Sequence, residues 1–283
     1  MGGRPTARVL AARLDADGPE GADAAVGARP GRRPEQVLVE EPLELRVDDV
    51  LVATTMRTPG HDFELAVGWC LSEGLLGPVA APAAVRDIRY CATGSAVDTG
   101  FNTVSVTTSG GRPPRAARLG TVTSSCGVCG SDAVEALVER LEPLPAESSV
   151  RAATLQGATD AAVAGQELFA ATGGSHAAAA LDADGRVVVE REDIGRHNAA
   201  DKVVGRLLLD GRLPLPAGTL WISGRASFEM VQKAWAAGFV ALVSVSAPSS
   251  LAVATAERAG LVLAGFSRSG RTTVYAGLDR VVV

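Results

Sequence analysis

Cysteine and histidine are scarce in this 283-residue chain, with four of the first and three of the second. A structural zinc centre needs about four such ligands and a catalytic one about three. Only Cys126 and Cys129 are closely spaced. Cys70 and Cys91 stand alone, as do His61, His176 and His197, so a zinc site lacks a second ligand pair. A basic excess is also missing: 27 Lys and Arg against 32 Asp and Glu leave a net charge of −5, which argues against a nucleic-acid surface. No apolar run approaches the roughly 18 residues of a membrane span. The opening MGGRPTARVLAARLDADG has neither an apolar core segment nor a cleavage site, and reads as no secretory signal. Cytoplasm is the expected compartment. Thiols stay reduced there, so a C-x-x-C implies redox, metal or sulfur chemistry rather than a staple.

What is present is an ordinary globular composition, 47% hydrophobic and 21% charged, long enough for two domains. Gly18–Pro34 is rich in Gly, Pro, Ala and Arg and reads as a mobile loop or extension. Val37–Val47 (VLVEEPLELRV) alternates as a strand. In TPGHDFELAVGWCLSEGLL, Thr58 is the expected cap and Pro59 suits the first helical position. Phe63, Ala66, Val67 and Cys70 then follow helical spacing. RDIRYCA and FNTVSVTTS read as strands, and Val134–Leu141 as a helix opened by an Asp132/Glu135 capping box. Pro143–Ser149 reads as a domain linker. Beyond it, a helical stretch near Ala158–Phe169 precedes strands SHAAAALD and RVVVERE. Helices and strands then alternate to LVLAGF, which predicts a largely parallel sheet covered on both faces.

The cysteine pair lies in TVTSSCGVCG (Thr121–Gly130), just before the predicted Val134 helix. A helix N-terminus lowers a thiol pKa, and the flanking glycines permit close approach by a partner. Those are a nucleophile's surroundings. Cys70 and Cys91 read as small buried hydrophobes.

The loop is accompanied by EPLELRV (Glu41–Val47), TPGHDFELAVG (Thr58–Gly68) and SSCGVCG (Ser124–Gly130). TGGSHAA (Thr172–Ala178), REDIGRHNAADKVVG (Arg191–Gly205) and SGRASFEMVQKA (Ser223–Ala234) follow, then APSSLAV (Ala247–Val253) and GFSR (Gly265–Arg268). In this combination and order the chain resembles the FdhD family of formate dehydrogenase accessory proteins. The resemblance implies a sulfur carrier, and hence a sulfurtransferase working through a cysteine persulfide. A cysteine desulfurase would load sulfane sulfur onto the loop, first on Cys126, with Cys129 sharing or relaying it. The sulfur would pass to the molybdenum cofactor, bound as a bis-guanine-dinucleotide substrate, before its insertion into formate dehydrogenase. A homodimer is expected by family analogy, and no zinc. A reading from another class is an escort that binds cofactor or apo-enzyme without sulfur chemistry.

The resemblance also implies an α/β chain of two domains, the C-terminal one a cytidine-deaminase-like three-layer α/β/α fold. The expected divisions are residues 1–34 (an N-terminal strand and flexible extension), 35–145 (an α/β domain ending in the C-x-x-C loop and its helix) and 146–283. A deaminase carries H-x-E and P-C-x-x-C on the first two helices of that fold. Here those positions read His197-Asn198-Ala199 and Ala226-Ser227-Phe228-Glu229, without the glutamate and without the cysteines, so the deaminase's zinc ligands and proton shuttle are in large part missing.

Arginine suits phosphate because its planar fork binds bidentately. Candidates are Arg196, Arg225, Arg268 and Arg271, with Lys202 and Lys233. Gly224 and Arg225 follow strand TLWISG, at the end where ligands gather in parallel sheets. The family's cofactor segment maps onto Phe266, Ser267, Arg268, Ser269, Gly270 and Arg271 (FSRSGR). For His197 a binding role and an ordinary packing contact both remain open. Glu229 has two readings as well: a bond to a guanine edge, or an i,i+4 pair with Lys233.

Overall fold

A computed structural model of the chain describes residues 4–12, 32–79, 85–91, 100–109, 121–122 and 139–283. Cys126, Cys129 and residues 134–138 of the expected helix lie outside them, and residues 139–141, its described end, are turn and bend rather than helix. So does most of the Gly18–Pro34 extension, although Arg32–Pro34 are strand.

Strands β1 (Thr6–Ala12) and β2 (Arg32–Leu38) form an antiparallel ribbon. The strand expected over Val37–Val47 is broken at Val39, whose N–H turns back to the Pro5 carbonyl (2.8 Å), and β3 (Glu41–Val47) begins afresh. Sequence reading missed β4 (Val50–Arg57). The β3–β4 turn is Asp48-Asp49, both at positive φ (47° and 66°), the two-residue geometry that matches strand twist. The Asp48 carboxylate holds it by accepting from Thr108 N–H and Oγ–H, each at 2.8 Å. With β5 (Val85–Tyr90), β6 (Thr103–Thr108) and β7 (Thr121–Val122), these strands make a mixed sheet in the order β5-β6-β3-β4-β7.

Helix α1 (Asp62–Ser72) lies on this sheet, and nearly every residue in it is buried. Thr58 does not cap it. His61, in the left-handed region, precedes Asp62, and Thr58 instead bonds far along the chain, accepting from Ile194 N–H at 3.1 Å.

After the irregular stretch Pro143–Ser149 come β8 (Val150–Arg151), α2 (Ala152–Val163) and α3 (Glu167–Thr172). The single helix expected near Ala158–Phe169 is therefore two, divided at Gly165, on which the Glu190 carboxylate packs. Next are β9 (His176–Leu181), β10 (Val187–Asp193), α4 (Arg196–Leu209), β11 (Thr219–Ile222) and α5 (Phe228–Ala236). Strand β12 (Ala241–Ser244), α6 (Ser250–Ala259), β13 (Val262–Arg268), β14 (Arg271–Ala276) and β15 (Val281–Val282) complete the chain. The six-stranded sheet runs β10-β9-β11-β12-β13-β14. Only β11–β12 and β12–β13 are parallel, so the sheet is mixed rather than largely parallel: two hairpins flank the parallel centre.

Strand alternation assigns its two faces. Ala177, Ala179, Trp221, Val243 and Ala264 pack on α2 with Leu155 and Ala158. Ala178, Ala180, Leu220, Leu242 and Leu263 join the opposite core, which α4, α5 and α6 supply. That second core continues through α1 into Leu43, Leu45 and Val104 of the five-stranded sheet. The continuity rests on a crossing of α1 and α4 at Gly68 and Gly205. A Cβ on either would overlap backbone of the other helix.

Candidate functional site

The parallel centre places three chain segments in a row beyond its carboxyl ends. Ser244 Oγ lies 2.7 Å from the Gly224 carbonyl and 2.9 Å from that of Ser246, and the Ser246 carbonyl accepts from Phe266 N–H at 3.2 Å. Gly224, Ser246 and Phe266 are thereby neighbours at one sheet edge, the position where α/β sheets bind ligands. Phe266 takes a positive φ of 51° and is half exposed.

Around Gly224 the side chains are polar. A Cβ there would sit 3.4 Å from Arg196 Cδ and 3.6 Å from His176 Cε1. His176 Nδ1 is 3.3 Å from Ser223 Oγ, which also accepts from Ala177 N–H at 2.9 Å. His197 Nε2 lies 2.6 Å from Glu229 Oε2, joining the first turns of α4 and α5. The close approach of His197 at 2.6 Å, against the cost of burial, holds the Glu229 carboxyl below its usual range. Burial, then Arg196 and His197, push the His176 imidazole down, towards neutrality. Arg196 is depressed by burial and by Arg225.

The sequence candidates separate. Gly224, Arg225 and His197 come together, with Arg196 beside them. Glu229 pairs with His197 rather than Lys233, because Lys233 Nζ is buried against Asp201 (2.7 and 2.8 Å). Lys202 is likewise buried, 2.7 Å from Asp193. Neither lysine is available to a phosphate. FSRSGR is a strand end and hairpin, not a loop: β13 runs through Arg268, Ser269 and Gly270 form a two-residue turn at positive φ, and Arg271 opens β14 opposite Arg268. Arg268, Ser269, Gly270 and Arg271 are exposed at its tip, whereas Ser267 is buried towards α2, bonded to Thr159 (2.9 Å). Among the described residues no hydrogen bond or ion pair links that tip to Arg225. His176 and Ser223 were missed as a pair. Their motifs, TGGSHAA and SGRASFEMVQKA, were legible, but their contact across antiparallel β9 and β11 was not.

Cys126 and Cys129 are outside the described residues. The last described residue before them, Val122 of β7, stands opposite Thr55 in register. Thr55 Oγ1 donates to Asn198 Oδ1 (3.3 Å), and Asn198 Nδ2 donates to the Met56 carbonyl (2.7 Å). The strand entering the cysteine segment is thus one bonded neighbour from the residue after His197. Cys70 and Cys91 are buried, and burial with nearby carboxylates raises the Cys70 thiol far above its usual range, which suits packing rather than nucleophilic chemistry. Among the described residues no group of three His, Cys, Asp or Glu is placed to hold a metal.

Comparison with known proteins places this geometry. The model of the FdhD/NarQ family matches residues 38–282. The sulfur carrier protein FdhD of Mycolicibacterium paratuberculosis is 49% identical over 255 residues, which cover 88% of this chain and 93% of that protein. Its namesake in Streptomyces coelicolor is 46% identical over 260 residues, covering 89% and 90%. A crystal structure of a Desulfotalea psychrophila protein, described as a formate dehydrogenase accessory protein, shares the fold. Its TM-score is 0.72 at 24% identity, with 98% of this chain and 99% of that one covered.

Proposed function

This chain belongs to the FdhD/NarQ family, and on that footing we propose that it is a sulfur carrier serving a formate dehydrogenase. The observation that carries the reading is the glycine-flanked SSCGVCG segment, in a chain whose relatives are named sulfur carriers across nearly their whole length. In the proposed reaction the Cys126 thiolate attacks the outer sulfur of a cysteine desulfurase persulfide. The donor's S–S bond breaks, the donor leaves as thiolate, and Cys126 becomes the persulfide. Cys129 takes the outer sulfur by the same exchange, which frees Cys126. The acceptor is the molybdenum cofactor in its bis-guanine-dinucleotide form, a substrate here.

The described geometry supports an acceptor site of that kind. Gly224, Arg225 and His197 gather at the carboxyl edge of the sheet, and β7 brings the chain to Thr55 beside Asn198 before the cysteines. The FSRSGR hairpin, two strands along, would engage a further part of so extended a ligand. Helices on both faces of the six-stranded sheet support a deaminase-like three-layer arrangement for residues 146–283.

Incubation with a cysteine desulfurase and cysteine should add about 32 Da per sulfur atom, reversibly by thiol reductant. Cys126→Ala should remove most of the gain, and Cys70→Ala should keep it. If the Cys126/Cys129→Ala protein still matures an active formate dehydrogenase, the escort reading replaces this one.

A further inference from the structure

Two helices start side by side at the edge of the six-stranded sheet. Arg196 is the first residue of α4 and His197 the second; Phe228 and Glu229 open α5. Neither N-terminus has a side-chain cap, and the Ser227 hydroxyl preceding α5 is buried without a partner. Helix N-termini carry partial positive charge and unsatisfied N–H groups, both of which favour an anion.

The side chains add to that field. Arg196 Nε is buried and makes no hydrogen bond. Arg225 is exposed and enters no ion pair among the described residues. Arg196 Cδ comes within 3.4 Å of where a Gly224 Cβ would stand, and Arg225 is the next residue along; burial first, and then Arg225, depress Arg196, with Glu229 acting against them. Glu229 acts on Arg196, but it and Asp193 also carry other partners. Glu229 is matched by His197 at 2.6 Å. Asp193 receives Lys202 at 2.7 Å, Gly195 N–H at 2.8 Å and Asn198 Nδ2 at 3.0 Å. Two cations remain beside Gly224, one with an unused buried donor, and the glycine lets a ligand approach the backbone.

We propose that Arg196 and Arg225, with the N-terminal turns of α4 and α5 and the Gly224 backbone, form a binding site for a phosphate-type oxyanion. An oxyanion between the arginines relieves their repulsion, accepts from Arg196 Nε and lies on the positive ends of both helices. The inference deepens the cofactor reading and rests on it for the source of the phosphate. It assigns the phosphate-bearing end of the ligand to Arg196 and Arg225, leaving the Arg268–Arg271 hairpin to another part.

The test is calorimetric titration of the full chain at constant ionic strength, with inorganic phosphate and with GDP as separate probes. Phosphate should bind with millimolar affinity. Arg196→Gln and Arg225→Gln should each weaken it at least tenfold, and Arg186→Gln, on a distant exposed turn, should not. Arg225 is exposed, so its variant keeps the test open if Arg196→Gln fails to fold. Tighter binding of GDP than of phosphate, lost in the same variants, identifies a nucleotide-borne phosphate; equal binding identifies a free oxyanion. No heat with either probe, or undiminished binding in both arginine variants, overturns the proposal. Persulfide loading of the wild-type chain is read separately by mass. Its absence would sink the carrier reading while leaving a phosphate site standing.

Discussion

Glu190 shows how a single side chain can be held at odds with its charge. It lies on β10 against Gly165, with Oε1 buried and without a hydrogen bond. Its neighbour Glu192 takes the available donors, accepting from Leu168 and Phe169 N–H (2.7 Å each) and from Ser175 Oγ (2.6 Å). Burial first, and then Glu192, push the Glu190 carboxyl up from 4.5 to about 7. The folded chain therefore binds this proton more tightly than the unfolded one. Stability is unaffected below about pH 4.5, declines as pH rises from there, and has lost the full contribution above about pH 7. Glu190→Gln keeps the shape and removes the charge. It should raise stability at pH 8 by about 1 kcal/mol, less than the whole shift would give because the group is partly solvated. At pH 4.5 it should make little difference. Urea midpoints of both proteins at the two pH values would show it, and an equal gain at both would exclude ionisation as the cause. Glu64 is the opposite case. Burial alone would raise it, yet Arg191, at 2.6 and 2.9 Å, and His61 hold it down to about 2. The stability it lends is present above about pH 4.5 and lost as pH falls towards 2.

Helices α1 and α4 meet where each has a glycine. The obstacle to any Cβ is the backbone of the other helix at Glu64, Gly68, Asp201 and Gly205, so no rotamer change can relieve it. Gly205→Ala should therefore cost about 3 kcal/mol or more, at or beyond the upper end of ordinary overpacking. Gly157→Ala on α2, where nothing lies within 4 Å, should instead stabilise by up to about 1 kcal/mol through helix propensity. Thermal midpoints of the two variants should move in opposite directions, and a small shift for Gly205→Ala would mean the helices can part cheaply. The sequence showed α1 as a helix because Ala66, Val67 and Cys70 recur at helical spacing. It did not show that Gly68 and Gly205 touch, because a glycine in a helix carries no sign of its partner. Strands β4 and β14 were missed for a related reason. Asp48-Asp49 and Ser269-Gly270 are two-residue turns, and only backbone φ separates them from longer loops. Thr58 was misread as a cap because its partner, Ile194, lies 136 residues away.

At the scale of the whole chain the two sheets are joined by buried polar bonds as well as by the shared apolar core. Lys233 on α5 meets Asp201 on α4, and Asp201 accepts from Ser72 of α1 at 3.1 Å. Thr58 N–H donates to Asp193 at 3.1 Å, and Lys202 donates to the Thr58 carbonyl at 3.0 Å. This explains the limits of sequence reading at the site. Motifs TPGHD and REDIGRHNAADK were visible, but spacing could not tell that their lysines and acids pair inward. Lys202 therefore looked as free for a ligand as Arg225, which the fold does leave exposed. Removing one member of a buried pair leaves an uncompensated charge, so Asp201→Ala should cost about 3–5 kcal/mol. Asp201→Leu with Lys233→Met removes both charges and should recover most of that loss. Because Asp201 stands between the sheets, the destabilisation should be global. Native-state amide hydrogen exchange would report it at Leu45 in β3 and at Leu242 in β12, both fully within the common core. Both amides should lose the same opening free energy in Asp201→Ala. If Leu242 kept its wild-type protection while Leu45 exchanged faster, the six-stranded sheet would be stable without the other, and the buried bonds between them would not bind the chain into one cooperative unit.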